Sequence, residues 1–173
     1  MEADLLKQFN ELPAPAARAA LLACCSSPSW AERMSTGRPY CSPQDAIRQS
    51  SVIVANLTVT DLAEALAGHP RIGEREETGQ VPARSAEWSA QEQAGVSAAS
   101  AETLRALAQA NEEYERRFGH IYLVCASGWT AAQLLTLLRS RLHNEARAEW
   151  QVVRSELQKI NEIRLRQLLA GPR

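Results

Sequence analysis

The chain has 173 residues, 45% of them hydrophobic, which is ample material for one domain with a sizeable core and excludes a disordered chain. Its 19 basic and 20 acidic residues balance to a net charge of −1, so there is no electrostatic footprint for nucleic acid or an anionic membrane, and a small ligand stays open. The most concentrated apolar strip, residues 121–126, is far too short to cross a bilayer, and the acidic start Met1-Glu2-Ala3-Asp4 lacks the positive region of a signal peptide; a cytoplasmic location is expected.

The chain reads as all-α and single-domain over residues 1–173, punctuated by proline and hydroxyl caps rather than by the glycine-rich turns of a β protein. A short helix over residues 2–11 ends before Pro13, a second covers 14–25, and the Ser29-Trp30 segment makes another turn. The four cysteines, Cys24, Cys25, Cys41 and Cys125, include an adjacent pair but no Cys-x-x-Cys spacing, so reduced thiols are expected rather than a disulfide framework or zinc site. Gly37-Arg38-Pro39 is a loop. Ser42-Pro43 supplies a hydroxyl cap and a proline at the first helical position, and Thr60-Asp61 starts the helix that leads to His69.

His69 is the organising residue. Pro70 lacks a backbone N–H and pushes the residue before it out of the α region, so the helix carrying Leu62 and Leu66 stops at or before His69. If the helical phase persists to the last turn, Leu62, Leu66 and His69 share one face at i, i+4 and i+7, which aims the imidazole toward the core side. Such a histidine is either a capping or core residue or an acid/base group facing a pocket. Residues 70–88 form a long polar loop, and long loops in compact domains are often functional. It leads to Ser89 and Glu92, whose i, i+3 spacing is that of a capping box at a helix start. The same helix start would suit an anionic ligand, and Glu92 could orient an imidazolium.

A long helix over about residues 101–118 is released by Gly119 into Ile121-Tyr122-Leu123-Val124-Cys125, β-branched and aromatic enough to be extended. Extended backbone without a sheet partner needs partners for its N–H and C=O groups, from side chains, water or a ligand. Leu134, Leu135, Leu137, Leu138 and Leu142 read as core, and Trp30, Trp88, Trp129 and Trp150 as core or interface bulk. The last helix, residues 145–169, carries a physical anomaly. At about 100° per residue, Val153, Leu157, Ile160 and Leu168 form one apolar stripe with Arg164 in its middle. A guanidinium there must be paired, snorkel, or line a polar cavity.

Taken together, these residues resemble the 2-oxo-4-hydroxy-4-carboxy-5-ureidoimidazoline (OHCU) decarboxylase family. The resemblance runs from Cys24-Cys25 and Trp30-Ala31-Glu32-Arg33-Met34 to Leu169. It is carried by His69-Pro70-Arg71-Ile72-Gly73, Ser89 with Glu92-Gln93, Tyr114 with Arg117-Phe118-Gly119, Arg141-Leu142, Glu149, and Lys159-Ile160 with Arg164-Leu165. It departs from the common pattern at His120, where many relatives have phenylalanine after the glycine, and at Tyr122.

The resemblance implies the family's own all-α fold with one short extended segment near 121–126, a homodimer, and decarboxylation of OHCU to (S)-allantoin and CO2 without metal or organic cofactor. The implied catalytic residues are His69, Glu92 and Arg164. The implied substrate-binding residues are Pro70, Ser89, Ala90, Gln91, Glu92, Gln93, Tyr122, Leu123, Val124, Cys125, Ala126 and Arg164. In that chemistry His69 serves as acid/base group with Glu92 fixing its orientation and favouring its charged form. Arg164 would act on a ring or ureido oxygen, or position the substrate, because pairing with the departing carboxylate would stabilise a charge that the transition state loses. Two other classes compete. A helical interaction module would use the same residues as a structural polar network, and a metal hydrolase using His69, His120 and His143 lacks any ligand pair at helical spacing.

Overall fold

The computed structural model describes residues 2–73, 83–96 and 98–171, with side chains from residue 5 onward. Among the described residues the chain is all-α, as α1 (Glu2–Glu11), α2 (Ala14–Cys24), α3 (Pro28–Thr36), α4 (Pro43–Ala55), α5 (Val59–Leu66), α6 (Ala83–Glu92), α7 (Ala101–Phe118), α8 (Ala131–Arg141) and α9 (Ala146–Ala170). It divides into two compact units, residues 1–65 with 157–173, and residues 66–156. No helix among the described residues is long and apolar enough to cross a membrane.

In the first unit, α2 packs on α3 and α3 on α4. Ser27 and Ser42 cap α3 and α4 by accepting from Trp30 N and Asp45 N at 3.2 and 3.1 Å, with proline at each helix start. The Ser29-Trp30 turn is thus part of a nine-residue helix. Trp30 is fully buried, and its Nε1–H donates to Ser50 Oγ at 3.0 Å, which satisfies the indole's only donor inside the core. Arg38 closes α1: its Nη1 donates to the carbonyls of Phe9 and Leu12, both at 2.8 Å, groups a helix end leaves open. Tyr40 donates its hydroxyl to Met34 O at 2.7 Å, and burial pushes its pKa up to about 12, keeping it protonated. The cap of α5 lies two residues before the expected Thr60: Thr58 Oγ1 accepts from Asp61 N at 3.1 Å while Asp61 Oδ2 accepts from Thr58 N at 2.9 Å. A side-chain oxygen three residues before a free N–H makes this reciprocal cap, so Thr58 is the capping residue.

In the second unit, α7 packs on α8 around Ile72, Val96, Leu107, Ala110, Tyr114, Tyr122, Val124, Leu134 and Leu138. Ser100 caps α7, Gly119 ends it in the left-handed conformation at φ 76°, and Arg116 and Arg117 sit near its negative end. Thr130 with Gln133, at the start of α8, forms a capping box in this unit.

The Ser89/Glu92 pair is no capping box. α6 begins at Ala83, inside the stretch expected to be loop, so Ser89 lies within the helix and Glu92 ends it. Neither sits at a helix N-terminus, and the anion-binding helix start expected there is absent from α6 at these residues. The reason is burial of Ser85, Trp88 and Ser89, spaced i, i+3 and i+4 on one helical face. Residues 74–82 of that expected loop lie outside the described residues.

Beyond α6 the chain turns tightly, and Gly95 approaches α8's entry so closely that an added β-carbon would collide with the backbone carbonyl of Trp129. Gly95→Ala is expected to destabilise the protein by about 1–3 kcal/mol, because backbone rather than a flexible side chain must move. Chemical denaturation would show the lowered midpoint.

Candidate functional site

α5 stops at Leu66, and His69 N–H donates to Leu66 O at 3.0 Å in the turn that follows. The helical phase therefore ends three residues before His69. The ring is half-buried and its Nε2 is shielded from solvent. The next residues are tied to the unit's core one by one. Arg71 forms a two-pronged ion pair with Glu115 of α7. The Ile72 carbonyl accepts from Asn111 Nδ2 at 2.9 Å, and Gly73 N–H donates to Gln93 Oε1 at 2.9 Å. Gly73 needs its φ of 90°, which other residues adopt at a cost.

Gln93 thus joins the His69 segment to the end of α6, two stretches twenty residues apart in sequence. Ser89 is buried, Pro70, Glu92 and Gln93 are half-buried, and Ala90 and Gln91 are exposed. A fixed backbone with a half-buried imidazole is a frame on which a proton can be held and moved at one nitrogen.

Residues 121–126 carry no regular secondary structure, and Tyr122, Leu123, Val124 and Ala126 are buried, with Cys125 half-buried. Two of their backbone groups have charged partners. Arg141 Nη1 donates to Leu123 O, and Cys125 N–H donates to Glu156 Oε2, each at 2.8 Å. Side chains, not a ligand, answer the hydrogen-bonding need of these two groups.

Arg141 is itself buried and fully engaged. Its Nε donates to Glu149 Oε1 at 2.8 Å, and its guanidinium carbon lies 4.7 Å from the Tyr122 ring centroid. Tyr114 also donates its hydroxyl to Glu149, and Asn144 Nδ2 donates to Glu149 Oε2 at 2.7 Å. Burial alone would lower the Arg141 pKa, but Glu149 reverses this and raises it, while burial and Glu149 both push the Tyr114 hydroxyl up. These groups keep one charge pair and one neutral phenol. This network was present in the sequence only as words of the resemblance. Its local signal is Leu134, Leu138 and Arg141 at i, i+4 and i+7 on α8, the same pattern that singles out Arg164.

His120 packs 4.2 Å from Trp150, ring centroid to centroid, and its Nδ1 donates to Ile121 O at 3.0 Å. Burial lowers its pKa against smaller upward pulls from the Ile121 carbonyl and Glu149. The folded protein then binds this proton less readily than the unfolded chain, whose histidine titrates near pH 6.5. Stability attached to His120 is complete above about pH 6.5 and is lost as pH falls toward the lower folded pKa. His120→Phe should gain stability relative to the parent on going from about pH 7.5 to about pH 5, measured by urea unfolding. A constant difference between the two proteins would contradict this.

In the first unit, Arg164 is 1% exposed, and its Nη1 donates to Cys24 O at 3.3 Å. The stripe expected along α9 is buried at Val153, Leu157 and Ile160, and Arg164 lies within it. Leu168, in the last turn, is only half-buried; Leu165 and Leu169 take its place in the core. Of the tryptophans, Trp30 and Trp88 are buried, Trp150 is half-buried and Trp129 is exposed.

The chain is similar to known proteins over most of its length. The family model of OHCU decarboxylase matches residues 10–166. The uric acid degradation bifunctional protein TTL of Arabidopsis thaliana is 34% identical over 85% of this chain, which spans 45% of that protein's length. The 2-oxo-4-hydroxy-4-carboxy-5-ureidoimidazoline decarboxylase of Amia calva is 28% identical over 79% of this chain and 78% of its own. A crystal structure of OHCU decarboxylase in the presence of (S)-allantoin superposes with a TM-score of 0.75 at 33% identity, covering 87% of this chain and 97% of that one. With a family match reaching from α1 into the last turns of α9, the chain belongs to the OHCU decarboxylase family.

Proposed function

We propose that the protein decarboxylates OHCU to (S)-allantoin and CO2, the step that completes conversion of urate to allantoin, and that it does so in the cytoplasm as a homodimer without a cofactor. Family membership carries the proposal, and the held His69 segment gives it a physical basis. In the substrate, the carbon bearing hydroxyl and carboxylate adjoins an imine carbon. When the bond to the carboxylate breaks, its electron pair forms the new C=C bond while the C=N electrons move to nitrogen. No external electron sink is needed. The ureido-bearing carbon then takes a proton, the hydroxyl becomes a carbonyl, and its proton balances the ring nitrogen. One proton is consumed overall.

His69 is proposed to deliver or relay that proton, with Glu92 orienting the ring. Arg164 is proposed to meet a ring or ureido oxygen, where charge develops, rather than the departing carboxylate. Pro70, Ser89, Ala90, Gln91, Gln93 and the strip Tyr122, Leu123, Val124, Cys125 and Ala126 are proposed to hold the substrate in one orientation. Ser89 and Gln93 suit this as neutral polar side chains that are at least partly buried. Within the strip, the groups left for substrate exclude Leu123 O along its Arg141 direction and the Cys125 N–H already given to Glu156.

The test is the decay of freshly generated OHCU in the presence of the protein. A rate proportional to enzyme concentration and well above the spontaneous one is expected. A rate equal to the spontaneous one would refute the activity.

A further inference from the structure

α9 buries a second polar side chain one turn before Arg164. Asn161 is fully buried, and neither its Oδ1 nor its Nδ2 meets a hydrogen-bond partner among the described residues. At i and i+3 the two side chains lie about 60° apart around the helix, so they share a face. The Cys25 thiol sits beside the Asn161 amide and within the field of Arg164, and burial pushes that thiol up, so it stays neutral. A neutral thiol is at most a weak partner and leaves the amide's hydrogen-bonding capacity largely unused. Leucine has the same branched skeleton without this desolvation penalty, so a buried carboxamide answered by no more than a thiol marks a place for a polar occupant.

The chemistry of the pair selects the occupant. A carboxamide presents one acceptor and a donor in a plane, which matches the N–H and C=O edge of a urea-type group. A guanidinium one turn away adds donors for the same oxygen. We propose that Asn161 contacts the substrate directly, pairing its carboxamide with a urea-type N–H/C=O edge beside Arg164. This rests on the decarboxylase reading and adds a specificity-determining residue to it. The substrate has two such edges, one on the ring and one on the ureido tail.

Steady-state kinetics on Asn161→Leu and Asn161→Ala, with inhibition by (S)-allantoin, hydantoin and N-carbamoylglycine, tests the contact. Hydantoin carries the ring edge alone and N-carbamoylglycine the ureido edge alone. Both variants should fold, with Asn161→Leu at least as resistant to heat as the parent. KM and the inhibition constant of allantoin should rise about tenfold, with kcat changing less. Parallel weakening of hydantoin assigns the contact to the ring, and of N-carbamoylglycine to the tail. If either folded variant keeps the parent's KM and all three inhibition constants, the contact is wrong and a buried water is the occupant. Asn161→Ala decides the question if Asn161→Leu fails to fold. A parent protein inactive on OHCU overturns the function and the contact together, whereas an active parent with indifferent variants overturns the contact alone.

Discussion

His69→Ala is expected to lower kcat by about 10²–10⁴-fold while leaving the protein folded. The size follows from what a positioned acid/base group contributes, roughly 3–5 kcal/mol of barrier at about 1.4 kcal/mol per decade. Retention of fold follows from the anchoring of the segment. Arg71, Ile72 and Gly73 are held by Glu115, Asn111 and Gln93, and His69 enters the turn after α5 through its backbone N–H. Alanine keeps that N–H. Single-turnover decay of OHCU, beside a circular dichroism spectrum matching the parent's, checks both halves. A folded variant with undiminished kcat would remove His69 from the chemistry.

The second large effect is on stability. Arg141→Met is expected to destabilise the protein by about 3–5 kcal/mol, because it leaves Glu149 buried without its guanidinium partner. That is a large share of the roughly 5–15 kcal/mol by which domains are stable, so the variant should unfold at much lower urea. Glu149 is 0% exposed, Arg141 is 4% exposed, and the pair also fixes the Tyr114 hydroxyl and the Leu123 carbonyl. Replacing both charges, as Arg141→Met with Glu149→Leu, should recover part of the loss, since no charge is then stranded. The recovery cannot be complete while Leu123 O and Tyr114 lose their partner. Equal stability of parent and Arg141→Met would contradict this account.

How the sequence foreshadows these features depends on the range of the interaction that fixes each. Helix starts at Ser42-Pro43 and the end at Gly119 are local, and they are readable from one capping side chain or one positive φ. Thr58 is equally local, yet Thr60 stands in the same neighbourhood, and only the reciprocal bonds with Asp61 tell them apart. Ser89 and Glu92 mislead for the opposite reason. Their spacing copies a capping box, while the burial of Ser85, Trp88 and Ser89 places them inside α6.

Arg164 could be found because four apolar neighbours on one helix define a face. Arg141 stands in an equivalent pattern with Leu134 and Leu138, but its partners Glu149 and Tyr114 come from other helices, and nothing local pairs them. The bond from Cys125 N–H to Glu156 spans 31 residues and is likewise set by tertiary packing. The histidine segment lies between these cases. The break at Pro70 is legible, whereas the tether from Gly73 to Gln93 is not.

The proposed function turns on protonation of one face of a decarboxylated OHCU ring. Time-resolved circular dichroism of allantoin formed from freshly generated OHCU tests it most directly, because spontaneous decay gives a racemate and an enzyme that fixes the ring face does not. Rapid appearance of the (S)-allantoin signal, at a rate proportional to the folded protein, is expected. Allantoin that appears at the spontaneous rate, without optical activity, would contradict it.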